Sequence, residues 1–324
     1  MAIRTRLTEK LGLEHPIILA PMGVAASGKL AAAVSNAGGL GLVGIGYRGS
    51  EWIKEQSDAA ANVRVGFGFI TWRLAEQPDL LELALDRQPT AICLSFGDPR
   101  PFAEQILAAG VPLICQVQTL ADAKAAVEAN ASIVVAQGTE AGGHGGTRST
   151  STLVPEVADL LARISADTLL CAAGGIADGR GLAAALVLGA DGVLVGSRFW
   201  ASEEANVHPK FHQTALAADG DSTIRTTLMD IVRGYNWPTR YTNRALKNSF
   251  LETWRGREAE LAASVDVETA KWNKAWDEGD GENSNVFISE SVGLIKAIEP
   301  AACIIARMIS DAEKRLASVT AAIR

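Results

Sequence analysis

His144 stands inside the run Gly138-Thr139-Glu140-Ala141-Gly142-Gly143-His144-Gly145-Gly146. A segment this rich in glycine packs poorly and is costly to order. A flat cofactor lying against its backbone would account for it. The one histidine at its centre titrates at about 6.5 in an unperturbed setting, which suits a base or a proton donor near neutral pH. An isolated histidine is more often structural, so only the glycine run around His144 marks it as functional.

Two more glycine clusters bear on chemistry. Gly174-Gly175 follows an apolar run and is followed by Ile176-Ala177-Asp178-Gly179, where a helix opens with Asp178 as its N-cap. Gly189-Ala190-Asp191-Gly192 leads into another apolar run, which ends at Gly196-Ser197-Arg198. One glycine pair would serve only a turn. Two such clusters at the ends of neighbouring strands make a phosphate site, because glycine lets backbone N–H groups approach the oxygens and a nearby helix N-terminus favours the anion. Arg198 suits a phosphate or a carboxylate equally. Ala20-Pro21-Met22-Gly23 imposes an unusual path on the chain, suited to a loop pressed against a planar ring, although ordinary turn chemistry also explains it.

The elements that must position these residues repeat. Apolar runs occur at 17–20, 40–44, 64–69, 91–96, 112–117, 132–137, 168–173 and 192–196, without polar alternation. Continuous apolar strands are what a parallel sheet buried on both faces requires. Helical patterns lie between them, at 28–36, 50–61, 78–86, 101–109, 120–129, 153–164 and 179–188. Eight units of even length predict a closed (β/α)₈ barrel, with its chemistry on the loops after the strands; an open doubly wound sheet is the alternative. The pattern changes near Ala201. Residues 201–285 read as a helical subdomain without strands, inserted after the eighth strand. Residues 1–200 and 286–324 then form the barrel, with Ser291–Arg324 as a helix pair and Glu278–Ser284 as a linker. Tyr235, Trp237 and Tyr241 suit a substrate pocket or a core equally. His15, His208 and His212 read as structural or surface residues.

Composition narrows the class. The chain has 324 residues and a formal net charge of −7, which disfavours nucleic-acid binding while allowing a local basic pocket. Cys93, Cys115, Cys171 and Cys303 show neither paired nor metal-finger spacing, so no metal site is expected. Neither an apolar leader nor a membrane-length stretch is seen, and a cytoplasmic protein is expected. The composition is compatible with a homo-oligomer.

Taken together, Pro21-Met22-Gly23, Asn36–Gly41, Ala136–Gly146, Ala173–Gly179 and Gly196–Phe199 resemble the nitronate monooxygenase family, formerly called 2-nitropropane dioxygenases. The likeness runs through nearly the whole chain and is strongest from Ser132 to Phe199. The resemblance implies bound FMN. Backbone at Pro21, Met22 and Gly23 would face the flavin ring, with Gly68 beneath it and Gly142 and Gly143 beside it. Gln116, where some relatives carry lysine, would support the ring without a positive charge, and Gln137 would bond the ribityl chain or ring edge. Gly174, Gly175, Gly196 and Ser197 would hold the phosphate. His144 would be the catalytic base towards neutral nitroalkanes and a cationic anchor for nitronates. The reaction implied is oxidation of a nitronate by dioxygen to a carbonyl compound and nitrite, so the expected partners are a small-molecule substrate and dioxygen. The same motifs occur in NAD(P)H-dependent flavin reductases acting on quinones or enoyl thioesters, which form the second reading. A flavin-binding protein without catalysis is the third.

Overall fold

The apolar runs pair side by side. The computed structural model describes residues 3–322. Its strands are β1 (Ile17–Leu19), β2 (Leu42–Gly44), β3 (Gly66–Ile70), β4 (Ile92–Ser95), β5 (Leu113–Val117), β6 (Ile133–Gln137), β7 (Gly143–Gly145), β8 (Leu169–Ala173), β9 (Gly192–Val195), β10 (Thr223–Thr226) and β11 (Thr242–Leu246). All but β7, β10 and β11 form one parallel sheet in the order β1-β9-β8-β6-β5-β4-β3-β2. Leu40, just ahead of β2, bridges Ile18 of β1. The Leu19 N–H donates to Leu40 O and the Leu40 N–H to Ile17 O, both at 2.9 Å. The sheet is therefore closed, and the fold is the TIM barrel expected.

Burial on both strand faces explains the unbroken apolar runs. Ile18, Leu42, Cys93, Ile114, Val135 and Cys171 fill the barrel interior together with Leu7 from the helix Arg6–Leu11. The alternate residues Ile17, Leu19, Val43, Phe67, Ile92 and Leu94 pack beneath the surrounding helices. Several of those helices start on side-chain caps. Ser27, Thr119 and Asp178 accept from the first-turn N–H groups of Leu30, Asp122 and Arg180.

Three expectations change. Residues 201–285 contain strands: β10 and β11 pair antiparallel, and β11 pairs with β7. Their residues, Thr-Ile-Arg-Thr and Thr-Asn-Arg-Ala-Leu, carry polar side chains on a buried face, so no apolar alternation marks them. The C-terminal stretch is a 3₁₀ turn, Glu290–Leu294, and one helix, Ala301–Ala322, in place of a helix pair. The stretch 278–284 is no loose linker. Asn248 Nδ2 donates to Gly281 O at 2.8 Å and to Ser284 O at 2.6 Å, fixing it as a packed turn.

The last helix seals the barrel by lying on the helix Gly179–Val187. A Cβ on Gly179 would come within 2.4 Å of both Met308 O and Ala312 N. Gly179→Ala is therefore expected to cost about 1–3 kcal/mol through overpacking. Urea unfolding checks this, and an unchanged midpoint would mean that the two helices separate freely.

Candidate active site

His144 is held above the barrel mouth by the small antiparallel sheet. Gly143 takes a left-handed φ of 67°, which turns the chain into β7. His144 then lies opposite Asn243 of β11. Cross-strand partners share a face, and here both reach the same carboxylate. His144 Nε2 sits 2.9 and 3.0 Å from the Asp230 oxygens, and Asn243 Nδ2 donates to Asp230 Oδ2 at 2.9 Å. Asp230 comes from the helix Leu228–Val232. All three side chains are buried.

Further hydrogen bonds fix the backbone of this run. Gln137, at the end of β6, donates from Nε2 to His144 O at 3.1 Å, while its Oε1 accepts from Gln118 Nε2 at 2.9 Å. Arg225 donates to Thr139 O at 3.0 Å and Gly145 O at 2.9 Å, and Arg244 Nε to Thr139 O at 3.1 Å. Burial, and secondarily the Arg244 charge, pushes the Arg225 guanidinium down to about 10.

Burial dominates the titration of His144 and lowers its pKa below the ordinary histidine value. The Asp230 hydrogen bond and charge oppose that shift, and the Arg233 charge adds to it. A carboxylate at Nε2 fixes the proton on that nitrogen. Nδ1 has no hydrogen-bond partner among the described residues, so it is left as the acceptor. The imidazole is stacked on the Trp237 indole, centroids 3.4 Å apart and planes 7° from parallel, with Phe96 and Phe287 edge-on.

The lowered His144 pKa has a stability consequence. As pH falls through about 6.5, an unfolded histidine takes up a proton that the folded site refuses, so stability falls. His212, lowered chiefly by burial against the opposing effect of the Trp200 carbonyl, contributes with the same sign. Thermal melts are expected to drop in Tm between about pH 7.5 and 5.5, and less steeply in His144→Gln. Equal slopes would contradict a neutral buried imidazole.

The glycine loops meet near this run. Gly174 and Gly175 take φ values of 99° and 74°. A Cβ on Gly174 would lie 2.9 Å from Gly138 O, and one on Gly175 would lie 3.2 Å from Glu140 Cβ. The Glu140 carboxylate accepts from the Thr150 N–H at 3.0 Å through each oxygen, so it already occupies the start of the helix Thr150–Ile164. Ser197 Oγ accepts from the Ser289 N–H at 2.8 Å, leaving its own O–H to donate. Ser289 Oγ in turn donates to Glu140 O at 2.7 Å. Gly142 packs on the same strap, since a Cβ there would be 2.5 Å from the Ile288 carbonyl carbon.

On the opposite side, Gly68 lies inside β3, and a Cβ would fall 2.2 Å from Pro21 Cβ. Gly68 therefore makes room for Pro21. Gly196 approaches Met22, its Cβ direction 3.5 Å from the sulfur. Gly23 and Gly143 face space with no atom within 4 Å. Gln116 stands apart from the phosphate loops. It lines a cavity of ≈ 280 Å³ with Trp72, Phe96, Asp98, Arg240 and Tyr241, and Phe96 and Tyr241 form its wall towards Trp237. Arg198 pairs with Glu299 at 2.6 Å and donates to Ala297 O at 3.0 Å, so the carboxylate is its partner.

Asp230, Asn243 and Arg225 escaped the sequence reading because they meet His144 only through folding. Asp230 did carry a signal, an acid inside the apolar run Leu228-Met229-Asp230-Ile231-Val232.

Comparison with known proteins agrees with this architecture. The family model described as Nitronate monooxygenase matches residues 4–68 and 50–311. A nitronate monooxygenase of Neurospora crassa is 32% identical, over 95% of this chain and 92% of that protein. FabK of Thermotoga maritima superposes with a TM-score of 0.87 at 30% identity, over 98% of this chain and 99% of the other. The nitroalkane oxidase of Streptomyces ansochromogenes superposes with a TM-score of 0.78 at 25% identity, over 94% and 97%. With the family model covering most of its length and a 32% identical relative matched nearly end to end, this chain is an oxidoreductase that belongs to the nitronate monooxygenase family.

Proposed function

We propose that the chain is an FMN-dependent nitronate monooxygenase, converting alkyl nitronates and nitroalkanes with dioxygen to carbonyl compounds and nitrite. The observation that carries this reading is the buried His144–Asp230 pair with Nδ1 unengaged. Asp230 holds the imidazole in one tautomer, and burial keeps it neutral. Nδ1 can then take the α-proton of a neutral nitroalkane, and Asp230 stabilises the imidazolium that results. A nitronate has no such proton to lose, so it needs only to be bound and oriented.

The chain fits FMN. Gly23 and Gly143 leave open space where a planar ring can approach the backbone. Among the described residues the Gly175 N–H finds no backbone or side-chain acceptor, and the Ser197 O–H is free to donate. Gly174, Gly175, Gly196 and Ser197 would hold the phosphate; Pro21, Met22, Gly68 and Gly142 would shape the ring site; Gln116 and Gln137 would offer amides to its edge. Bound FMN supplies the electron transfer that these side chains cannot perform. Residues 201–285 would close over the barrel formed by 1–200 and 286–324, with Trp237 and Phe287 excluding water from His144.

The purified protein is expected to be yellow, to stay oxidised anaerobically when NADPH or NADH is added, and to release nitrite from ethylnitronate in air. Rapid bleaching by NADPH without nitrite release would replace this reading with a reductase.

A further inference from the structure

Arg233 carries a charge that the fold does not pair. Its guanidinium lies over Tyr235 at 4.7 Å, Trp272 at 5.3 Å, Tyr47 at 5.4 Å and Phe287 at 5.7 Å. Tyr47 and Tyr235 are themselves stacked, 3.6 Å apart. Among the described residues the Arg233 guanidinium makes no hydrogen bond and no ion pair, only its backbone N–H donating, to Ile231 O. Arg225 and Arg244, by contrast, are spent on backbone and hydroxyl oxygens. Ring faces attract a cation by about 0.5–2 kcal/mol, but they accept none of its N–H groups. Asp230, on the same helix as the Arg233 C-cap, is already taken by His144 and Asn243.

The cage adjoins the imidazole on two sides. Phe287 is edge-on to His144 at 6.1 Å. Tyr47 accepts from Trp237 Nε1 at 2.6 Å, and Trp237 covers the His144 face. With Nε2 of His144 committed to the Asp230 carboxylate, the imidazole has no N–H left for an anion unless Nδ1 is protonated, so an anionic substrate needs a further donor.

We propose that Arg233 is the oxyanion subsite of this site, taking both oxygens of a planar, singly charged group such as a nitronate in its guanidinium fork. This rests on the reading of the preceding section. The fork matches two coplanar oxygens, whereas a lysine would offer a point charge. Arg233 thereby makes the site favour the anionic nitronate over its neutral conjugate acid, while His144 serves only the latter.

The test uses two readouts. Nitrate is a planar oxyanion of the same shape, and Trp237 and Trp272 flank the subsite, so tryptophan fluorescence reports its binding at constant ionic strength. Saturable quenching is expected in the unmodified protein, weakened about 10–100-fold in Arg233→Met, as for loss of a hydrogen-bonded charge, and less in Arg233→Lys. In nitrite-release assays Arg233→Met is expected to raise KM for ethylnitronate by a similar factor and to leave KM for nitroethane nearly unchanged. Circular dichroism confirms that each variant is folded. Absence of nitrate binding in the unmodified protein, or equal binding in Arg233→Met, overturns the proposal. Nitrate binding that depends on Arg233, in a protein that releases no nitrite from any nitronate, sustains the subsite and removes the monooxygenase reading instead.

Discussion

Replacing His144 with alanine is expected to lower turnover of nitroethane by about 10²–10⁴-fold, the usual contribution of a positioned general base. Turnover of preformed ethylnitronate should fall far less, because no proton has to be removed. The contrast between the two substrates is the measurement, read as nitrite released at one pH. Alanine also leaves the buried Asp230 without its main partner, and an unpaired buried carboxylate destabilises. His144→Asn is therefore the companion variant, since its amide can donate to Asp230 but cannot act as a base. Both variants should keep the visible spectrum of bound cofactor, because the glycines at 174–175 and 196 stand outside the His144–Asp230 pair. Full nitroethane activity in His144→Asn would remove His144 from the mechanism.

The barrel was legible because its physics is repetitive. Strands buried on both faces need unbroken apolar residues, and each of the eight runs became a strand of the closed sheet. The small sheet was hidden for the opposite reason. β10 and β11 bury Asn243 and Arg244 and half-bury Arg225, so the residues that build the site are those that erase the strand signature. Glycine spoiled β7 in the same way, since Gly143-His144-Gly145 has no strand propensity and is extended only because β11 pairs with it. Tertiary context overrode local preference where the chemistry is expected.

Partner choice was the other hidden quantity. Glu299 lies 101 residues from Arg198, and Asp230 lies 86 from His144. Nothing local separates a phosphate-binding arginine from one that ties the chain before the last helix. Likewise, the family resemblance sets Gly68 beneath a flavin ring, and the fold adds that the ring of Pro21 lies where a Gly68 side chain would go. A glycine's type shows that a side chain is excluded there, and only the fold shows what excludes it.

Asp230→Asn is the sharper test of the mechanism. Nitroethane turnover should fall by about 10²–10⁴-fold, since an amide no longer enforces the tautomer and cannot balance the imidazolium. A packing residue could produce a loss too, so the deciding readout is the pH profile. Burial lowers the His144 pKa, while Asp230 acts in the opposite direction. Removing the carboxylate charge leaves burial less opposed, and the pKa falls further. The acid limb of kcat/KM for nitroethane, where protonation of the base ends activity, should therefore move to lower pH in Asp230→Asn. Activity at the plateau falls while its onset extends towards acid. Asp230→Glu keeps the charge and should return the limb towards its original position even if the geometry is imperfect. A limb that stays fixed in Asp230→Asn would show that the carboxylate does not act on the base. His144 would then owe its orientation to Trp237 and the β7 backbone alone.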